Sequence, residues 1–142
     1  MKVYRSRKSG LAIRESYDRL LAFWSCETKE RDVTTAYGTT HVIECGKAES
    51  LPLVLFHGVG DDSALMWIYN APELSKHFHL YAIDTLGGPG KSVPNENYNR
   101  DFDDIRWIDG ILYTLQVDRA YFAGVSHGGY LVQAYTLHRP EK

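Results

Sequence analysis

From Ile13 to Trp24 the apolar positions fall at Ile13, Tyr17, Leu20, Leu21 and Trp24, with Arg14, Glu15, Asp18 and Arg19 between them. That spacing predicts an amphipathic helix with a single apolar face. The pattern then changes to runs rich in β-branched residues, Val33 to Tyr37 and Thr40 to Cys45, which predict a hairpin joined through Gly38-Thr39. Beyond the polar loop Gly46 to Ser50 comes a continuous apolar run, Leu53-Val54-Leu55-Phe56, as expected of a strand covered on both faces. A second such run, Leu80-Tyr81-Ala82-Ile83, ends at Asp84 and the loop Gly87-Gly88-Pro89-Gly90, and a third, Ala120-Tyr121-Phe122-Ala123, meets Gly124. Helical stretches separate them, one from about Leu65 to His77 that Pro72 interrupts, one marked by Phe102, Ile105, Ile108, Leu112 and Leu115. A last helix is expected from about His127 to Pro140. Strand, loop and helix in threefold succession predict an α/β fold, a three-layer α/β/α arrangement around a mostly parallel sheet. An N-terminal extension with its helix (1–31) is expected to precede the α/β part (32–142), with the hairpin at the start of the latter.

Composition narrows the class. The chain has 142 residues, 44% hydrophobic and 24% charged, which is globular rather than disordered and sized for one domain. Sixteen basic against eighteen acidic side chains leave a net charge of −2, without the cationic surplus of a nucleic-acid binder. Cys26 and Cys45 are too few for a disulfide framework and lack metal-ligand spacing, so they read as small buried thiols in a reducing compartment. No segment approaches the roughly 20 apolar residues of a membrane span. The basic start (Lys2, Arg5, Arg7, Lys8) leads into charged residues, not into the apolar core of a signal peptide. The expectation is a cytoplasmic protein with no nucleic-acid or membrane partner, no cofactor and no metal.

Three loops carry the candidate chemistry. Gly124-Val125-Ser126-His127-Gly128 fits G-x-S-x-G between a strand and a helix, the setting in which a serine hydroxyl projects from a tight turn above the sheet. Glycines are needed on either side because strand and helix approach too closely for a Cβ, and the helix start offers free N–H groups where an oxyanion can develop. The alternative is a glycine-rich turn in which Ser126 merely caps the helix. His57-Gly58-Val59-Gly60, after the first buried strand, can supply a second backbone donor, with His57 itself expected to hydrogen-bond locally. Asp84 to Ser92 is glycine-rich, but G-G-P-G-K-S is not phosphate-loop spacing and Pro89 removes a donor. Asp84 there is expected to satisfy loop amides.

In this order and spacing the three loops resemble the α/β-hydrolase superfamily over Asp32 to Lys142. The segment Tyr37-Gly38-Thr39-Thr40-His41-Val42-Ile43 with the preceding helix resembles a carboxylesterase-like branch. The resemblance implies that Ser126 is a nucleophile acting on carboxylic esters and that the backbone N–H groups of Val59 and His127 form the oxyanion hole. It also implies the chain order Ser, then acid, then His. Sixteen residues follow Ser126, too few for that acid and histidine, so the expectation is an N-terminal half, the first five strands up to the helix that follows the nucleophile. No local histidine substitutes: His127 leaves the helix in another direction, and His138 lies about 16 Å further along it at 1.5 Å per residue. The chain alone is therefore expected to be inactive. Two alternatives stand beside this reading, a non-catalytic hydrolase-like binding or relic protein and a half-enzyme completed by a second chain. The partners that follow are a small-molecule ester once the site is complete, a complementing chain, or a second copy meeting it at the open apolar strand Ala120 to Gly124.

Overall fold

The computed structural model describes residues 4–142. Its first helix, α1 (Arg7–Leu21), begins well before the apolar stripe, because Ser6 accepts a hydrogen bond from the Ser9 amide while the Ser9 hydroxyl accepts one from the Ser6 amide. This reciprocal cap satisfies donors that a helix start leaves orphaned, so polar residues extend the helix backwards from Ile13. Tyr17 and Leu21 are buried, and Trp24, just past the helix end, donates its indole N–H to the Ala64 carbonyl at 3.0 Å.

The hairpin consists of β1 (Thr28–Thr35) and β2 (Gly38–Cys45), in antiparallel register from Thr28↔Cys45 to Thr35↔Gly38. Its turn is Ala36-Tyr37, not the expected Gly38-Thr39. The Thr35 hydroxyl organises it, accepting from the Tyr37 amide and donating to the Gly38 carbonyl. Gly38 has a different duty. At φ 129 it lies under a crossing segment, and a Cβ there would stand 2.3 Å from the Val93 carbonyl oxygen.

β3 (Leu51–Phe56) and β4 (Phe78–Ile83) are buried runs at the centre of the sheet, and after the two-residue β5 (Val93–Pro94) the third run forms β6 (Tyr121–Gly124), only partly buried at the sheet's edge. The order is β1-β2-β4-β3-β6, with β5 beside β2. β3 pairs in parallel with β4 and β6, whereas β2 pairs antiparallel with β1, β4 and β5, so the sheet is mixed. Between β3 and β4 the expected long helix is two single turns, α2 (Ser63–Met66) and α3 (Ala71–Leu74). Asp62 caps the first, and Pro72 sits in the opening turn of the second, where a missing N–H costs nothing. Pro72 thus starts a helix instead of interrupting one.

Helices cover both faces. On one side α4 (Asp104–Leu115) and α5 (His127–His138) bury Trp107, Ile111, Leu131 and Tyr135 against Phe56 and Ile83. On the other, α1, α2 and α3 bury Tyr17, Leu21, Ala64 and Ala71 against Ile43, Leu55 and Leu80. The α1 side chains thus join the same core as the strands. Among the described residues no helix is long and apolar enough to cross a membrane.

Candidate active site

β3 and β6 end side by side, Phe56 opposite Gly124, so the loops that follow them open at the same edge of the sheet. Past Gly124 the chain turns through Val125, whose amide donates to the Phe56 carbonyl at 3.2 Å, and enters α5 at Ser126. Here the backbone leaves little choice of residue. A Cβ on Gly124 would lie 2.3 Å from the Gly128 carbonyl carbon, and one on Gly128 would lie 2.2 Å from the Phe56 carbonyl oxygen.

Ser126 sits at φ 54 and ψ −115, a conformation L-residues rarely adopt and one that costs on the order of 1–3 kcal/mol. It occupies the N-cap position of α5, yet its side chain makes no capping bond. The reading of Ser126 as a plain helix cap is thereby excluded. Its hydroxyl has no protein partner among the described residues, and the Val125 and Ser126 carbonyls take the Gly128 and Tyr130 amides instead.

The loop after β3 lies against this turn. A Cβ on Gly58 would sit 3.5 Å from the Ser126 Cβ. Gly60 at φ 83 lets the loop reverse, the Asp61 amide closes it onto the Gly58 carbonyl, and Val59 stands 81% exposed at its tip. Among the described residues neither the Val59 nor the His127 amide donates to a protein acceptor. The His127 amide opens α5, where the helix dipole adds partial positive charge.

His57 is buried beneath this loop, and both its ring nitrogens are occupied. Nε2 accepts from the Thr85 amide at 2.9 Å, which leaves the proton on Nδ1, and that N–H donates to the Gly58 carbonyl at 2.8 Å. As expected, the histidine holds the loop and is not available as a base. The Thr85 amide, which fixes the tautomer, has no signature in the sequence. Asp84 also behaves as expected. Fully buried, its carboxylate accepts from the Ser63 amide at 2.9 Å and the Lys91 amide at 2.8 Å, and Gly90 is required because a Cβ would strike it at 2.2 Å.

The remaining histidines are engaged elsewhere. His41 lies between Asp32 and Glu30, His79 bonds Glu44, and His138 faces the Ala134 carbonyl. His77 stands beside Glu73, while the His127 ring stacks on Tyr130 at 5.8 Å between centroids. No histidine among the described residues bonds Ser126. Two carboxyls near the site are pushed above their usual range by burial. Asp62 is held back mainly by the Leu65 amide, and Asp104, at the start of α4, by its electrostatic interaction with the His127 imidazole. Asp104 beside His127 was not legible in the sequence, because only the packing of α4 on α5 brings them together.

Residues 52–142, which include this strand-to-helix turn and the glycine loop against it, match a family model described as the alpha/beta hydrolase fold. The chain belongs to the α/β-hydrolase family. Within that family it is 33% identical over 135 residues to carboxylesterase YbfK of Bacillus subtilis, covering 95% of this chain and 45% of that protein. The crystal structure of that carboxylesterase superposes with a TM-score of 0.89 at 34% identity, covering 94% of this chain and 47% of the other. The naproxen esterase of Bacillus subtilis superposes with a TM-score of 0.90 at 29% identity, over 97% of this chain and 48% of that one. This α/β-hydrolase chain thus spans about half the length of the relatives it matches.

Proposed function

We propose that this chain is the N-terminal half of a serine hydrolase acting on carboxylic esters, with Ser126 as nucleophile. The observation that carries the reading is the Ser126 hydroxyl itself, presented on a strained turn without a partner among the described residues and beside two amides that none of those residues engages. Its relatives, among them a carboxylesterase and a naproxen esterase, support the ester as substrate class.

In this reading Ser126 Oγ attacks the acyl carbon and the carbonyl electrons move onto oxygen. The Val59 and His127 N–H groups then hydrogen-bond that oxyanion, a contact that strengthens as charge develops. A base takes the hydroxyl proton and returns it to the leaving alcohol, and water releases the acid from the acyl-serine. Every histidine among the described residues is engaged away from Ser126, so the base and its orienting acid are assigned to polypeptide beyond residues 4–142, whether joined to this chain or separate. The β6 edge beside the site, without a strand partner among the described residues, favours such a completing segment. The free thiols of Cys26 and Cys45 support placement in the cytoplasm.

The test has two arms. With an activated aryl ester, the 142-residue chain alone should show weak hydrolysis that Ser126→Ala barely alters, because an unassisted hydroxyl is a poor nucleophile near neutral pH. Fused to the C-terminal half of the Bacillus subtilis carboxylesterase YbfK, it should gain turnover that Ser126→Ala abolishes. A soluble, cooperatively melting fusion with no Ser126-dependent turnover would sink the proposal. Rapid, saturable hydrolysis by the chain alone would place the base within it, and single substitution of each histidine would find it.

A further inference from the structure

The two cysteines, which the ester chemistry does not use, lie together at one end of the hairpin. Cys45 closes β2, and its antiparallel partner is Thr28. Cys26 stands two residues before Thr28. A bend at Ser25 and Cys26 leads from α1 into β1. Both side chains reach one apolar cluster, Cys45 buried within it and Cys26 packed at its margin. A cavity of about 410 Å³ is lined by both cysteines together with Thr28, Gly46, Lys47 and Ser75.

The two thiols differ in accessibility. Burial pushes the Cys45 thiol up, and the neighbouring Cys26 thiol and Glu44 carboxylate push it further, so Cys45 keeps its proton at neutral pH. A buried, protonated thiol is inert by itself. Cys26 is partly exposed.

We propose that Cys26 and Cys45 are a dithiol site that closes to an intramolecular disulfide on exposure to a peroxide. The Cys26 sulfur, its proton released to solvent, attacks one peroxide oxygen. The O–O bond breaks, the distal oxygen leaves as water after protonation, and Cys26 becomes a sulfenic acid. The Cys45 sulfur then displaces the sulfenic oxygen and loses its proton, and a second water leaves as the S–S bond forms. In sum two thiols and one hydrogen peroxide give one disulfide and two waters, with sulfur oxidised and peroxide oxygen reduced.

The bond would act on more than the hairpin. It would tie the segment between α1 and β1 to β2, and α1 braces the loops of the candidate active site. Lys91 pairs with Asp18 of α1 and Glu30 of β1, the Tyr4 hydroxyl donates to the Pro89 carbonyl, and Trp24 holds α2 at Ala64. Closure therefore fixes the scaffold under the Asp84 to Ser92 loop, whatever reaction Ser126 performs.

The experiment uses the reduced 142-residue chain, treated with hydrogen peroxide at near-equimolar dose, then alkylated and digested without reductant. The expected result is loss of both titratable thiols, an intact monomer lighter by two hydrogens, and a linked Cys26–Cys45 peptide that dithiothreitol reopens. The oxidised monomer should also melt at a higher temperature than the reduced one. Cys26→Ser should leave Cys45 alkylatable after the same dose, and Cys45→Ala should stop Cys26 at the sulfenic acid, trapped by dimedone. Two thiols still titratable after treatment, unlinked sulfinic acids, or disulfides only between chains would each overturn the proposal. The wild-type peptide map decides the matter even if Cys45→Ala fails to fold.

Discussion

At Ser126 the chain holds a serine at φ 54 with no bond from its hydroxyl to the described residues, so the turn there is a local cost that no hydrogen bond among them offsets directly. Glycine adopts positive φ without that cost. Ser126→Gly should therefore raise stability by about 1 kcal/mol, while Ser126→Ala should change it by less than about 0.5 kcal/mol, since no capping bond is lost. Urea unfolding of the two variants checks this, and an Ala variant clearly less stable than wild type would reveal a hydroxyl contact. The flanking glycines behave oppositely. Gly124→Ala and Gly128→Ala each place a methyl within 2.3 Å of backbone that cannot swing away, so each should cost at least about 3 kcal/mol or prevent folding. These positions were legible in the sequence because G-x-S-x-G records a steric requirement in residue identity. The Thr85 amide that sets the His57 tautomer was not, because a backbone donor has no side-chain signature and its contact spans 28 positions.

Among the elements, those read correctly were the ones whose burial is continuous or periodic: β3, β4, α4 and α5 lie where their apolar positions placed them. Misreadings arose where one residue type serves two purposes. Gly38 resembled a turn residue, but what demands a glycine is the close passage of Val93 over β2. Pro72 resembled a break within one helix and in fact opens a separate turn, and Ser6 and Ser9 extend α1 by a cap that hydrophobic spacing does not reveal. Strand β2 also carries an electrostatic consequence. Burial works to raise the Glu44 carboxyl, but hydrogen bonds from His79 and Arg31 prevail, and it is held below its ordinary value. A carboxylate with a lowered folded-state pKa adds stability above its unfolded value of about 4.3, and that stability fades as pH falls through the folded value. Thermal melts taken downward from about pH 5 should show the wild type losing stability through this range. Glu44→Gln should lose less over the same interval, and parallel acid limbs for the two proteins would contradict the assignment.

For the whole molecule the decisive feature is the asymmetry of the sheet's two edges. At one, β1 is a strand of charged and polar residues, Thr28 to Thr35, with only Val33 fully buried. At the other, β6 pairs on one side with β3 and presents its second row of backbone groups without a strand partner among the described residues. Lysine and other charges blunt edges against pairing, whereas apolar edges template it. The β6 run Tyr121-Phe122-Ala123 has no charge, and Tyr130 and Leu137 of the adjoining α5 are also largely exposed. The purified chain should therefore associate reversibly as its concentration rises, through β6 and the flank of α5. Sedimentation velocity over a dilution series would show a rising average mass. Tyr121→Lys, which sets a charge on the edge at a position already more than half exposed, should return the protein toward monomer with little loss of folding. Fusion to a C-terminal half that covers β6 should suppress association in the same way, and it separates this edge from any other sticky surface. A wild-type chain that stays a compact, cooperatively melting monomer at high concentration would mean that β6 is protected without a neighbouring strand, and the side-chain flank of Tyr121 and Phe122 would then be the place to look for the cover.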